Sequence, residues 1–230
     1  MVALFVVATI IVFFIIDYFV QRSEKRKKAT APATDNMSKA RFIIPKEYFF
    51  GRGHVWVELL SGGDARIGLD DFVQKIVGRM DDVGFIPVNS KVVKGDKLFT
   101  IRQEEKVLSF CAPISGKIVA FNEELSHSPE VIRKKPYADG WVAIIEPSDL
   151  DEIKFLPKGT DAAQWLKEEI KRFRNFITAQ ATSVASFGVP SPAGVTLMDG
   201  GIPVEGVMEH SSKEIWQRFE NNFLTNSDAK

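Results

Sequence analysis

Residues 107–121 read VLSFCAPISGKIVAF, two apolar runs separated by a short polar break. Pro113 fixes φ at about −65°, and Gly116 permits a positive φ that other residues avoid. The break therefore predicts a tight turn between two strands, residues 107–112 and 116–121. We expect this stretch to form antiparallel β-structure.

Other short runs rich in β-branched and aromatic residues predict further strands on both sides of this turn. They cover residues 54–60, 65–68, 83–87, 97–102 and 140–145. Many short strands with close turns are typical of a small sandwich or barrel. One short helix is expected at residues 70–77, because the spacing of Phe72, Val73, Ile76 and Val77 suits a helix packed on the sheet.

Three motifs occur in the order and at the spacing found in one known family. They are HVWV at 54–57 with IGLDDFVQ at 67–74, PISGKIV at 113–119 with Asn122, and SPEVI at 128–132 with PY at 136–137, GW at 140–141 and EPSD at 146–149. Through these motifs the chain resembles the H protein of the glycine cleavage system. The resemblance implies a mainly β fold of the lipoyl/biotinyl-like, barrel-sandwich hybrid type over residues 42–159, and a carrier protein rather than an enzyme.

The resemblance also implies a lipoyl cofactor on one lysine at the tip of a β-hairpin, eight residues before the proline of the turn motif. Counting back eight from Pro113 reaches Glu105, whereas alignment from the strand at Phe99 places Lys106 at this position. A slip of one residue in a β-ribbon turns a side chain to the other face, so the two alignments differ physically. Lys106 is the candidate lipoyl attachment residue, off-register by one.

Composition gives little support for other kinds of site. The formal net charge is zero, which does not favour nucleic acid as a partner. The single cysteine, Cys111, and the widely separated His54, His127 and His210 do not have metal-ligand spacing, so no metal site is expected. On a strand, His54 is expected to make a local hydrogen bond, and Trp56 and Trp141 to fill the core or a cleft.

The N-terminus predicts a membrane anchor. Residues 1–20 are almost wholly apolar and long enough for a transmembrane helix, and the basic cluster at 22–28 follows them. By the positive-inside rule this order predicts a single-pass protein of the cell inner membrane, with the N-terminus outside and the main domain in the cytoplasm. A cleaved signal peptide has its basic residues before the apolar run, which is the reverse order. Residues 21–41 are expected to form a basic, flexible tether.

Residues 160–230 are predicted to be a helical C-terminal extension. Apolar stripes at 160–177 and 213–223 indicate two amphipathic helices, and the Gly- and Pro-containing stretch between them breaks the helical pattern. The large apolar faces favour packing against the β-domain. A docking arm for a partner or a membrane is the alternative.

Two functions follow from these expectations. The first is a membrane-anchored carrier that passes a lipoyl-bound group between cytoplasmic enzymes of the glycine-cleavage or another lipoyl-dependent type, if Lys106 is lipoylated. The second is a non-lipoylated binding or scaffold module that recruits cytoplasmic partner proteins to membrane lipid. An enzyme is not expected, because no nucleophile with a base at motif spacing and no Gly-rich phosphate loop is visible in the sequence.

Overall fold

The computed structural model describes residues 42–186 and 205–225. The predicted membrane helix at 1–20 and the tether at 21–41 lie outside the described residues. None of the helices in the described ranges has the length and apolar character needed to cross a membrane.

The described residues form two antiparallel sheets, which confirms the expectation of a mainly β fold. The larger sheet has the strand order β1 (Phe49–Gly51), β2 (Val55–Leu59), β3 (Ala65–Leu69), β9 (Trp141–Pro147), β8 (Gly116–Phe121) and β5 (Lys91–Val92). The smaller sheet has the order β4 (Asp82–Phe85), β6 (Lys97–Gln103) and β7 (Lys106–Cys111). Alternate residues of both sheets point into a shared apolar core, as Ile67, Ile101 and Ile118 do.

Helices and helical turns lie between the strands and after the last of them. They are α1 (Asp71–Val77), a 3-10 turn (Glu123–Ser126), α2 (Val131–Lys134), α3 (Asp151–Lys154), α4 (Thr160–Ser186) and α5 (Lys213–Phe219), which continues into a π turn (Glu220–Leu224). Helix α1 begins after Asp70, whose carboxylate accepts a hydrogen bond from the backbone N–H of Val73 at 3.0 Å. The helix predicted at residues 70–77 is confirmed.

The turn before β8 differs from the expectation in its use of glycine. Gly116 is not among the described glycines with positive φ. It pairs with Pro147 of β9, and a Cβ at Gly116 would lie 2.3 Å from the carbonyl oxygen of Glu146. Glycine stands here because two backbones approach closely, so the expected positive φ was wrong.

The C-terminal helices pack on the β-domain through aromatic side chains. Phe173 of α4 is the centre of this packing, with ring centroids 5.6 Å from Phe72 of α1 and 5.8 Å from both Phe219 and Phe223. Phe173 is fully buried. The apolar stripes that the sequence displays on the two helices therefore face each other and the domain.

Candidate functional site

The β6–β7 hairpin is the candidate site. Gln103 pairs with Lys106, which leaves Glu104 and Glu105 as a two-residue tip. Both glutamates are exposed, and Glu104 has a left-handed backbone with φ 54°. Lys106, the candidate attachment residue, is therefore the first residue of the returning strand and not part of the tip.

The pairing register of β6 with β7 shifts by one residue near the start of β6. The pairing changes from Lys97 with Cys111 to Phe99 with Phe110, which makes Leu98 the extra residue of a β-bulge in β6. This irregularity has the same size as the disagreement between the two ways of aligning Lys106. The bulge precedes Phe99, so it lies outside the segment from Phe99 to Pro113 over which the two alignments count, and it does not account for their disagreement.

The Lys106 ammonium is enclosed by the C-terminal extension. Its Nζ donates to the backbone carbonyl of Glu209 at 2.6 Å and to that of Ser211 at 3.4 Å. The same nitrogen lies 4.8 Å from the centre of the Trp216 ring, in cation–π geometry. Only 9% of the Lys106 surface is exposed. None of these three partners was indicated by the sequence pattern around the hairpin.

We call residues 205–212 the strap, since they run from the end of α1 across Lys106 to the start of α5. The strap is held independently of Lys106. The N–H groups of Gly206 and Met208 donate to the carbonyls of Lys75 and Ile76 at 2.7 and 2.9 Å, and these acceptors belong to the last turn of α1, where carbonyls lack helical partners. The Met208 carbonyl accepts from the indole N–H of Trp216 at 2.8 Å.

The π turn after α5 covers part of the exposed edge of β7. The Glu220 carboxylate accepts from the backbone N–H of Ser109 at 2.9 Å. This contact satisfies a backbone donor that an edge strand otherwise leaves to solvent or to another chain. The extension thus contacts both the lysine and the outer edge of the hairpin.

Charge around Lys106 is mixed. Burial lowers the pKa of the Lys106 amine, and the carboxylates of Glu104 and Glu209 act in the opposite direction. A cleft of about 590 Å³ lies beside the lysine, between the hairpin tip and the strap. Arg79 lines this cleft and pairs with Glu104 at 2.9 Å. The cleft therefore combines both signs of charge.

His54 has a structural environment, as expected from its place at the start of a strand. Its Nδ1 lies 2.7 Å from an Asp70 carboxylate oxygen, and its Nε2 lies 3.7 Å from a carboxylate oxygen of Glu169 on α4. Burial lowers the pKa of His54, but the two carboxylates outweigh it and raise that pKa to about 9. The ring is fully buried, so no substrate reaches it.

The remaining predicted residues do not converge on the hairpin lysine. Trp56 is buried and donates from its indole N–H to the Pro136 carbonyl at 3.0 Å, and Trp141 is half-buried. Cys111 is half-buried at the end of β7. Across residues 42–186 and 205–225, no three metal-binding side chains come together.

Comparison with known proteins places this hairpin in a family. The model of the glycine cleavage H-protein family matches residues 48–169. This chain belongs to that family. A glycine cleavage system H protein of Anoxybacillus flavithermus is 35% identical over 126 residues, which cover 55% of this chain and 98% of the relative. A probable H protein of Pyrococcus horikoshii is 36% identical over 127 residues, or 55% of this chain and 94% of the relative.

Among solved structures, an H protein from Mycobacterium marinum matches with a TM-score of 0.48 and 23% identity, covering 55% of this chain and 98% of that one. H proteins are lipoyl carriers and not enzymes, and they carry the lipoyl group covalently. The strap and α5 lie beyond residue 169, outside the region that the family model matches.

The hairpin of this H-protein domain does not fit a lipoyl group as it is folded. Attachment requires a lysine amine that extends freely from a sharp turn into the lipoylating enzyme. Here the tip side chains are those of Glu104 and Glu105, and the Lys106 amine is bound to two carbonyls under the strap. Acylation would turn the Lys106 ammonium into a neutral amide with one N–H, and so remove the charge and donors that bind the Glu209 and Ser211 carbonyls.

Proposed function

We propose that the chain is a membrane-tethered H-protein-type docking module that works without a lipoyl group on its hairpin tip. The observation that carries this proposal is the environment of Lys106, whose amine is bonded to the carbonyls of Glu209 and Ser211. A lysine used in this way attaches the C-terminal extension to the hairpin. The domain then offers its surface, and not a swinging arm, to cytoplasmic partner proteins.

The acidic tip supports the same function. Glu105 stands eight residues before Pro113, the place that the family resemblance gives to the lipoyl lysine. A carboxylate cannot form the amide that joins a lipoyl group to a lysine. The hairpin has an exposed tip, but the side chains at its end are those of two glutamates.

The tether in this proposal rests on the sequence of the N-terminus. The apolar run at residues 1–20 is followed by the basic cluster at 22–28, which is the order of a cytoplasm-facing anchor. We propose single-pass insertion in the cell inner membrane, with the H-protein domain on the cytoplasmic side.

A lipoyl carrier that uses Lys106 is the second candidate. It is favoured by the family, whose members carry a lipoyl group, and by the position of Lys106 immediately after the tip, beside the cleft. In this function the partners are lipoyl-dependent enzymes, such as those of glycine-cleavage type. The strap must then leave Lys106 before the lysine is acylated.

Mass spectrometry of the full chain from lipoate-replete cells separates the two candidates. Three proteins are compared: the wild type, Lys106→Arg, and Glu105→Lys, which places a lysine at the exposed tip. We expect no adduct of lipoyl mass on the wild type and an adduct on the tip lysine of Glu105→Lys. The tip variant is the positive control, since it shows that the cell's lipoylating enzyme accepts this domain.

A lipoyl adduct on the wild type that disappears in Lys106→Arg would overturn the docking-module proposal in favour of the carrier. The tether is tested separately, by recovery of the full chain in the membrane fraction after an alkaline wash. Recovery in the soluble fraction would contradict the tether without bearing on Lys106.

A further inference from the structure

Two lysines stand opposite each other on the outer surface of the larger sheet. Lys91 of β5 is the register partner of Lys117 of β8, and both side chains are exposed. Like charges directly opposite on neighbouring strands destabilise a sheet. Neither lysine forms an ion pair with any residue in the described ranges. Two like charges therefore stand side by side on neighbouring strands of the described sheet.

A protruding turn extends this positive surface. Val93 and Asp96 close the turn, with the N–H of Asp96 donating to the Val93 carbonyl at 2.9 Å and Gly95 at φ 96°. The N–H of Lys94 donates to the Ser115 hydroxyl at 3.0 Å, which places Lys94 close to the start of β8. Val93 is 64% exposed.

A second valine is exposed next to Lys117. The pairing of β8 with β9 shifts between Ile118 and Ala120, so Val119 is the extra residue of a bulge. Val119 is 42% exposed. Bulges redirect side chains, and this one leaves an apolar side chain in solvent beside the lysine pair. We call Lys91, Val93, Lys94, Lys117 and Val119 the Lys91–Lys117 face.

Nearby carboxylates do not neutralise this face. Asp96 uses its carboxylate to accept from the N–H of Val93 at 2.8 Å, and Glu146 is the register partner of Lys117 on β9. Glu152 also borders this face, since its carboxylate accepts from the Ser115 hydroxyl at 2.9 Å. With Lys97 at the start of β6, four lysines stand beside three carboxylates, an excess of one positive charge. The surface is therefore positive although the whole chain has no net charge.

We infer that the Lys91–Lys117 face binds the surface of an anionic lipid bilayer. Lysines interleaved with exposed apolar side chains match the interface of such a membrane, where the ammonium groups meet lipid phosphates and the valines enter the head-group region. This inference rests on the tether of the proposed function. The 21 residues between the apolar run and the domain span at most about 75 Å when extended, so the proposed anchor keeps the domain within that distance of the bilayer.

An acidic partner protein would meet the same charge, but the sequence favours the membrane. In the tether of the proposed function, the basic cluster at residues 22–28 meets the same anionic surface. Two basic elements on one chain bind one surface together, because attachment through the first raises the effective concentration of the second.

Lysine labelling of the full chain in vesicles tests this inference. The chain is reconstituted in vesicles of phosphatidylcholine alone and in vesicles that also contain phosphatidylglycerol, and acetylation by a water-soluble reagent is followed by peptide mass spectrometry. We expect Lys91, Lys94 and Lys117 to be acetylated several-fold more slowly on the anionic vesicles, with the difference lost at high salt. Lys134, exposed on α2, is the internal reference.

The variant Lys91→Gln/Lys117→Gln should bring the acetylation rate of Lys94 on anionic vesicles back to its rate on phosphatidylcholine. The matched control, Lys134→Gln/Lys135→Gln, removes the same charge from another surface and should leave the slowing of Lys94 unchanged. Equal rates for the three face lysines on both vesicles would overturn the inference, and this is also the result expected if the face binds an acidic protein.

The tether has its own readout in the same experiment, which is recovery of the chain with vesicles of phosphatidylcholine alone. Failure there contradicts the tether. Slower acetylation of the three lysines that depends on phosphatidylglycerol would still show that the face binds anionic lipid.

Discussion

Lys106 and Glu209 lie 103 positions apart in the sequence and are joined by a hydrogen bond of 2.6 Å from the lysine ammonium to the glutamate's backbone carbonyl. The first residue lies within the region that matches the H-protein family, and the second lies in the extension beyond it. This bond therefore connects the hairpin of a carrier-type domain to a segment that encloses it. It adds to the hydrogen bonds by which Gly206 and Met208 hold the strap on α1.

Replacing Lys106 by methionine tests this role. Lys106→Met keeps an unbranched side chain against Trp216 but removes both hydrogen bonds, and it leaves the carbonyls of two half-buried residues without their charged donor. We expect the free energy of unfolding to fall by about 1.5–3 kcal/mol, measured by urea denaturation. Amide exchange at residues 205–212 should increase more than exchange in the β-strands.

The matched control is Lys117→Met, the same chemical change at an exposed lysine on a strand. It should alter the free energy of unfolding by less than about 0.5 kcal/mol. If the two variants had equal effects, the carbonyl contacts of Lys106 would contribute nothing particular to stability.

Phe173 is predicted to be the main apolar contact between the extension and the β-domain. Phe173→Ala removes a fully buried ring that touches Phe72, Phe219 and Phe223, and we expect it to cost about 3–5 kcal/mol. Phe155→Ala is the control, since Phe155 is 83% exposed and its loss should be nearly neutral. A small effect of Phe173→Ala in urea denaturation would mean that the extension is only loosely attached.

Gly116 is predicted to tolerate no side chain. The Cβ of Gly116→Ala would stand 2.3 Å from the Glu146 carbonyl, and a backbone atom cannot move aside as a side chain can. We expect a loss of about 1–3 kcal/mol, or more, in thermal or urea unfolding. Gly62→Ala, with no atom within 4 Å of the added Cβ, should be close to wild type. Equal stabilities for the two alanine variants would contradict the close approach of β8 and β9.

Much of the fold could be predicted because its signals are local. The apolar alternation of β6, β7 and β8 and the turn at Pro113 appear within a few residues of sequence. Strands β1 and β5 were missed, since three and two residues respectively are too few to show a period. Their pairing depends on neighbours distant in sequence.

The candidate site was predicted less completely, for the same physical reason. The hairpin and Lys106 could be found from the family motifs, but the carbonyls that bind the lysine belong to a strap 103 positions away. Every residue has a backbone carbonyl, so no sequence pattern predicts which carbonyls bind the lysine. Glu169 was missed because a carboxylate on the polar side of an amphipathic helix is normally solvated, whereas this one is buried beside His54.

The His54 site predicts a specific dependence of stability on pH. Asp70, the residue before α1, and Glu169 of α4 face the imidazole. Arg172 pairs with Glu169, and the ring stacks on Phe72. The carboxylates raise the folded-state pKa of His54 to about 9, above its ordinary value of 6.5. Folding thus favours the protonated ring.

The stabilisation from His54 is therefore fully present below about pH 6.5 and is lost as the pH rises through about 9. We expect the free energy of unfolding to fall by up to about 3 kcal/mol across this interval, measured by urea denaturation at a series of pH values. His54→Gln should be less stable at pH 6 and should lose this dependence. His127→Gln, at an exposed histidine, should retain it. A wild-type free energy of unfolding that stays level or rises between pH 6.5 and 9 would show that the buried imidazole is neutral in the folded protein. The contact between His54 and Glu169 would then not be an ion pair that stabilises the packing of α4.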